Sequence, residues 1–413
     1  MPQPILSHEF ENGLVLLGEP MESVESAAFS ILVPAGSVYE SADRSGLATV
    51  TCEMTQRGCG KRDSRQFITD LENLGVQRGE SVASAHMSFG GATLAKNLPA
   101  TLRIYADLLR RPHLPDDQLD AARLAALQEL RSIEDDPSHK VMLELKRRYY
   151  PDPWGRPSEG DVAAVEAITI EEIRGHFQRL FRPNGTIIGV AGQIDWAAAK
   201  DLVGELLADW KPISADEAAD GERGVRTEHL AHQSNQTQIG IAYHSVPYRH
   251  PDYFRASGAV GVLSGGMSAR LFTEVREKRG LCYTVFASHH TQRDRACVLC
   301  YAGTSSERAQ ETLDVTLGEL RRISQGILPE ELARLKARVK SGLIMQGESS
   351  SSRSGAIARD WYHLGHARTL AELGKLVDDL TVSAINEYLE ENPPNDFTVV
   401  TLGPAPLEVP VAA

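Results

Sequence analysis

Apolar positions along the chain fall into two kinds of stretch that alternate in a fixed order. Short apolar or alternating runs at 27–33, 187–191, 238–243, 296–303 and 397–402 predict strands. Longer runs keep helical spacing. Between 115 and about 135, Leu119, Ala122, Ala126, Leu127, Leu130 and Ile133 recur on one face, which predicts an amphipathic helix. A second helical pattern, 268–278, stops before Gly280 and gives way to a strand over 282–288. Residues 82–89, which include His86, alternate in the manner of a strand.

The order of these stretches repeats. Leu114-Pro115-Asp116-Asp117 opens one helical pattern and Leu328-Pro329-Glu330-Glu331 opens another, 214 positions later. Ile168-Thr169-Ile170-Glu171-Glu172-Ile173 returns as Leu380-Thr381-Val382-Ser383-Ala384-Ile385 at an offset of 212, each with a Thr or Ser near the helix cap. Pro183-Asn184, a strand and Gly192 return as Pro394-Asn395, a strand and Gly403 at an offset of 211. Three signals in one order at nearly one offset predict two copies of a single fold. The division expected from the pattern is a first α+β repeat at 1–211, a linker at 212–227 rich in acidic residues, Ala and Gly, and a second α+β repeat at 228–413. Each repeat should hold a mostly antiparallel sheet with helices packed on one face.

Composition narrows the picture. Of 413 residues, 42% are apolar and 24% charged, which excludes a disordered chain. The 43 Lys and Arg against 56 Asp and Glu give a net charge of −13, a field that repels a phosphate backbone and so argues against nucleic acid. It is compatible with basic peptides. No apolar run is long enough to span a bilayer and the first residues lack a leader pattern, so a cytoplasmic location without membrane attachment is expected. Five cysteines suit a reducing compartment, and Cys297 and Cys300, three apart on a predicted strand, should face opposite sides as buried thiols. The loop Arg57-Gly58-Cys59-Gly60-Lys61 lacks the phosphate-binding spacing, which removes a nucleotide site.

Ala35-Gly36-Ser37-Val38-Tyr39-Glu40, Ser45-Gly46-Leu47-Ala48 and Leu71-Glu72-Asn73-Leu74-Gly75, joined by Ser268-Ala269-Arg270-Leu271-Phe272 and Arg276-Glu277-Lys278-Arg279-Gly280-Leu281-Cys282-Tyr283, resemble the pitrilysin and insulinase-like zinc metallopeptidases. The resemblance is to the branch of the mitochondrial processing peptidase and runs through nearly the whole chain. It implies two homologous halves, each contributing half of a clam-shell chamber. Active members carry H-x-x-E-H after the Gly-Leu-Ala stretch, where two His one helical turn apart grip zinc and the Glu serves as base. Here those five positions read Thr49, Val50, Thr51, Cys52 and Glu53. Both histidines and the base are replaced. Glu129 alone stands where the family places its remaining ligand. The degenerate motif positions Thr49, Cys52, Glu53 and Glu129 are therefore expected to hold no metal, and the chain to carry no cofactor of its own. His86 and the pair His363 and His366 are read as structural.

The resemblance also implies a role for Arg276 and Tyr283. In the family such a pair reaches the substrate held by the zinc-bearing half, the tyrosine donating to the developing oxyanion and the arginine holding peptide carbonyls. The alternative from the residues alone is a surface ion pair of Arg276 with Glu274 or Glu277 and a packed tyrosine. The expected function is that of a non-catalytic, substrate-binding subunit. It would work with a homologous partner that keeps H-x-x-E-H and supplies the zinc, acting on unfolded peptides bound as an added strand on a sheet edge. A structural or assembly protein of the same fold, a homodimer included, and a peptidase with an altered metal site are the alternatives.

Overall fold

The computed structural model describes residues 4–214 and 218–409, so residues 215–217 of the expected linker lie outside the described residues. In chain order the helices are α1 (Leu47–Thr55), α2 (Ser64–Asn73), α3 (Leu98–Arg110), α4 (Leu119–Glu134), α5 (Pro137–Tyr149), α6 (Val162–Ala167), α7 (Ile170–Leu180), α8 (Trp196–Leu207), α9 (Tyr253–Leu263), α10 (Ala309–Arg322), α11 (Pro329–Gly347), α12 (Ser350–Leu364), α13 (Leu370–Asp378) and α14 (Val382–Glu391). A π-helix spans Phe272–Glu277. The strands are β1 (Leu6–Glu9), β2 (Val15–Pro20), β3 (Ser26–Val33), β4 (Gln77–Val82), β5 (Met87–Leu94), β6 (Ile187–Gly192), β7 (Thr227–Ala231), β8 (Gln236–His244), β9 (Cys282–Thr291), β10 (Ala296–Ser305) and β11 (Thr398–Gly403). The two strings follow one plan: a hairpin leads into a pair of helices, and a returning strand closes the sheet. Both Thr169 and Thr381 cap their helices as the repeated segment predicts, each accepting from a backbone amide three residues on.

Two compact units result, unit 1 from Met1–Ser132, Arg156–Asp220 and Ile344–Ala371, and unit 2 from Ile133–Gly155, Gly221–Leu343 and Glu372–Ala413. Unit 1 holds a six-stranded sheet in the order β1-β2-β6-β3-β5-β4, and unit 2 a five-stranded sheet in the order β7-β11-β8-β10-β9. All neighbours run antiparallel except β2 with β6 and β7 with β11. The expected mostly antiparallel α+β sheets are present.

Alternation along each strand decides which helices it meets. In unit 1, Ala27, Phe29, Ile31 and Val33 of β3 turn toward Phe67 and Leu71 of α2, Leu102 and Tyr105 of α3 and Val203 of α8. Each such side chain contributes roughly 1.5–3 kcal/mol on burial. This is the face the pattern predicts. The opposite face is also covered. Val15, Leu17 and Ile187 pack against Ile357 and Ala358 of α12. Unit 2 repeats the arrangement, with Ile239, Ile241, Val298 and Cys300 on the side of α9, α10 and α14. Ala242, Cys297, Leu299, Val400 and Leu402 lie on the side of Val141 and Leu145 of α5. Cys297 and Cys300 thus face opposite sides of β10, both buried and free. Helices α5 and α12 occupy equivalent places in the repeat, and each covers the sheet built from the other half of the sequence. The units therefore differ from contiguous halves by one exchanged segment apiece, which apolar spacing cannot reveal because a buried helix face looks the same whichever sheet it meets.

Helix α12 is fixed in unit 1 by close approach and by charge. A Cβ at Gly189 of β6 would stand 2.4 Å from the Ser354 carbonyl, so only glycine fits under the helix. Arg353 donates to both oxygens of Glu19 at 2.9–3.0 Å, with both side chains about 1% exposed. No helix among the described residues is long and apolar enough to cross a membrane.

Candidate functional site

Unit 1 places the degenerate motif on α1. Gly46 (φ 100°) caps this helix, and the buried Glu40 carboxylate accepts from the Gly46 and Ala48 amides at 3.0 and 2.6 Å. Burial raises the Glu40 carboxyl to about 7 against those two bonds and the nearby Arg156. The N-terminus of the helix is thus anchored, and the side chains of the motif positions it carries make contacts of their own. Thr49 Oγ1 donates to the Ser158 carbonyl at 2.5 Å. The Cys52 thiol is buried, and burial, with the Glu80 and Glu53 charges, raises its pKa far above the ordinary range. Glu53 receives Arg57 at 2.6 Å. Glu129 is exposed on α4. This donor set does not fit zinc: it holds no imidazole, its thiol is held protonated and one carboxylate is already ion-paired. Among the described residues no group of three or more His, Cys, Asp or Glu is arranged to hold a metal ion.

The edge strand beside α1 is also charged. On β4, Arg78 donates to Glu80 at 2.7 Å, and the Tyr105 hydroxyl lies 3.4 Å from Glu80. Inward or paired charges on an edge discourage another strand from adding.

Unit 2 presents a different site. The helical pattern expected over 268–278 is a π-helix at Phe272–Glu277, and Gly280 (φ 57°) turns the chain into β9 as its position predicts. The Arg276 guanidinium lies 4.8 Å from the Phe272 ring centroid and 4.9 Å from that of Tyr283. Cation–π contacts of this kind hold a guanidinium without discharging it. Among the described residues no carboxylate pairs with Arg276. Glu274, one of the two partners the surface-ion-pair alternative offers, is taken instead by Lys278 at 2.6 Å and Arg279 at 2.9 Å, and Glu277 is exposed. Tyr283 is 82% exposed, so its ring and hydroxyl face solvent. Strand β9 is the free edge of its sheet and, from Cys282 to Thr291, carries no Asp, Glu, Lys, Arg or Pro. A cavity of about 460 Å³ beside it is lined by Tyr283, Thr284, Gln236, Tyr301, Ser305 and Arg308, among others.

Two histidines, His86 in a predicted strand and His366 on a helix predicted to carry His363 as well, lie elsewhere than their pattern indicated. His86 sits in the turn between β4 and β5 rather than inside a strand, its ring 4.0 Å from that of Tyr362. His363 lies in the last turn of α12, while His366 follows the αL cap Gly365, so the two do not share a helix face. Phe272 and Arg308 were not singled out from the sequence. Phe272 stands four residues before Arg276 in a helical pattern and could have been found by that spacing. Arg308 enters from another element and leaves no local signal.

Two family models match the chain. The insulinase model of peptidase family M16 covers residues 17–161, and the model of the peptidase M16 inactive domain covers residues 167–339. The chain is similar to an uncharacterized zinc protease of Bacillus subtilis, 23% identical over 96% of this chain and 97% of that protein. It is likewise similar to one of Mycobacterium tuberculosis, 24% identical over 95% and 91%. Among solved structures, the peptidase M16 inactive domain from Pseudomonas fluorescens shares the fold with a TM-score of 0.89 at 20% identity, covering 98% of this chain and all of that one. A protease from Helicobacter pylori matches at 0.88 with the same coverage and identity.

Proposed function

This chain belongs to the insulinase family, peptidase family M16, and we propose that it serves there as a non-catalytic, substrate-binding subunit of a two-chain zinc peptidase. The partner would be a homologous chain with an intact H-x-x-E-H motif, and it would supply the metal chemistry. The present chain would contribute Arg276 and Tyr283. One observation carries this reading: Arg276 stacks on Phe272 and Tyr283 with no carboxylate paired to it among the described residues, and Tyr283 is exposed. An arginine in a scaffold is normally paired or solvated on its own, whereas one stacked and left cationic is prepared for an incoming carbonyl or carboxylate. The uncharged edge of β9 supports an unfolded peptide as the ligand, since an extended backbone can add to it through main-chain hydrogen bonds beside Tyr283.

The test is hydrolysis of β-casein by the chain alone and after co-expression with a homologous chain that carries H-x-x-E-H. The chain alone should be inactive and the mixture active, and Arg276→Ala with Tyr283→Phe should lower the mixed rate by about 100-fold, the size of a lost oxyanion donor. A mixture that keeps its full rate with both substitutions overturns the role of the pair. A complex that forms but never cleaves peptide under any pairing favours an assembly protein of the same fold.

A further inference from the structure

The turn that joins the π-helix to β9 has a counterpart in unit 1, and the two close differently. After α2, the Val76 amide donates to the Leu71 carbonyl at 3.0 Å and the Gly75 amide to Glu72 at 2.9 Å, around Gly75 with φ 64°. This is a Schellman closure, with three residues between the core anchor Leu71 and the left-handed glycine. After the π-helix, the Leu281 amide donates to the Val275 carbonyl at 3.0 Å and the Gly280 amide to Arg276 at 2.9 Å. The anchor is again buried, since Val275 is 0% exposed. Four residues now separate it from the glycine. The Lys278 amide donates to Thr273, five residues back, as a π-turn requires. One residue has been added to the last turn, and the first position after the anchor, Arg276, is carried outward over the start of β9.

A widened turn has poorer internal hydrogen bonding than an α-turn and needs outside support. It receives that support from α10 and from Glu274. Arg308, just before α10, donates to the Gly280 carbonyl at 2.7 Å and to the Arg279 carbonyl at 2.9 Å. Glu274 accepts Lys278 and Arg279 side chains at 2.6 and 2.9 Å, and Arg279 also donates to the Glu274 carbonyl at 2.7 Å. At the other end of α10, Arg322 lies 3.6 Å from Glu274 and 2.6 Å from Glu319. Thr304 of β10 holds the Leu281 carbonyl at 2.6 Å. Every residue of the turn from Lys278 to Leu281 is thereby fixed by a charge or a strand.

We infer that Glu274 and Arg308 are positioning residues, which hold a one-residue π-insertion so that Arg276 and Tyr283 stack and face the peptide. This rests on the reading of that pair as a peptide contact, but the geometry can be tested apart from it. Place 3-fluorotyrosine at position 283 alone and record its ¹⁹F resonance in the full chain. Arg276→Ala gives the resonance of the unstacked ring. Glu274→Ala, Arg308→Ala and deletion of Glu277, which restores the three-residue spacing, should each move the wild-type resonance more than halfway to that position. Arg308→Lys, which keeps the charge, should move it less. Circular dichroism confirms that each variant is folded, and Glu274→Gln replaces Glu274→Ala should the latter fail to fold. In parallel, anisotropy with fluorescein-labelled β-casein should report binding about fivefold weaker for Glu274→Ala and Arg308→Ala, the size of one disturbed polar contact. An unmoved resonance in folded Glu274 and Arg308 variants overturns the inference. A moved resonance with unchanged casein affinity upholds the brace and removes the peptide-contact reading instead.

Discussion

The two units are built alike and use charge in opposite ways. In unit 1 the charges are spent internally: Glu19 on Arg353, Glu53 on Arg57, Glu80 on Arg78. In unit 2 Glu274 of the π-helix is satisfied by Lys278, Arg279 and Arg322, while Arg276 stacks beside an exposed tyrosine. The difference teaches how one fold, built twice, can commit its charges to packing in one copy and leave one at the surface in the other. On α1 a threonine bonded to a carbonyl, a buried thiol and an ion-paired carboxylate amount to ordinary packing. An uncompensated cation on a supported turn persists only where the surrounding residues are arranged to leave it so.

The largest effect should come from breaking the internal pairing of unit 1. Arg353→Met leaves Glu19 buried and unpaired, and should destabilise the chain by about 3–5 kcal/mol in urea unfolding. A loss under about 1 kcal/mol would mean that packing on Gly189, rather than charge, secures α12. Next, Arg276→Ala with Tyr283→Phe should weaken β-casein binding about tenfold while changing stability by under about 0.5 kcal/mol, as expected of surface positions that contact a ligand. Thr49→Ala with Glu53→Gln should leave that binding unchanged. Equal effects from both pairs would erase the contrast between the units.

The acid response offers a finer distinction. Hydrogen bonds from Lys278 and Arg279 lower the Glu274 carboxyl to about 2. Its folded pKa lies below the unfolded carboxylate value, so the stabilisation is complete above about pH 4.5 and fades as pH falls toward 2. Thermal midpoints should drop through that window in the wild type and drop less in Glu274→Gln. The smallest effect concerns Cys52. With the other four cysteines it is buried and free, so a thiol-specific disulfide reagent should find almost no reactive group in the native chain and five after unfolding. Rapid modification of Cys52 would show an activated nucleophile in unit 1 and break the comparison.

Much of this was legible in the sequence, for local reasons. The repeat, the strands at β3, β8, β10 and β11, the capping threonines and the turn at Gly280 all follow from spacing and residue type within a few positions. That Thr49, Cys52 and Glu53 occupy the H-x-x-E-H positions is implied by the family resemblance rather than by local spacing. What the sequence hid is non-local. Helices α5 and α12 bear apolar faces that do not state which sheet they meet. In the sequence Glu274 and Glu277 are both in reach of Arg276, and only the folded turn shows that Lys278 and Arg279 take Glu274. The π-insertion is a single added residue inside a helical period and is invisible without the equivalent turn after α2 for comparison.

The exchange of α5 and α12 also sets a schedule for synthesis. The sheet of unit 1 has all its strands once Gly192 has emerged, yet the helix that covers its second face ends only at Leu364. At 5–20 residues per second the ribosome needs on the order of 10 to 30 s to bridge that interval. Throughout it, Val15, Leu17 and Ile187 would remain open to water or to a chaperone, and a chain released before Leu364 would be a natural client for proteolytic clearance.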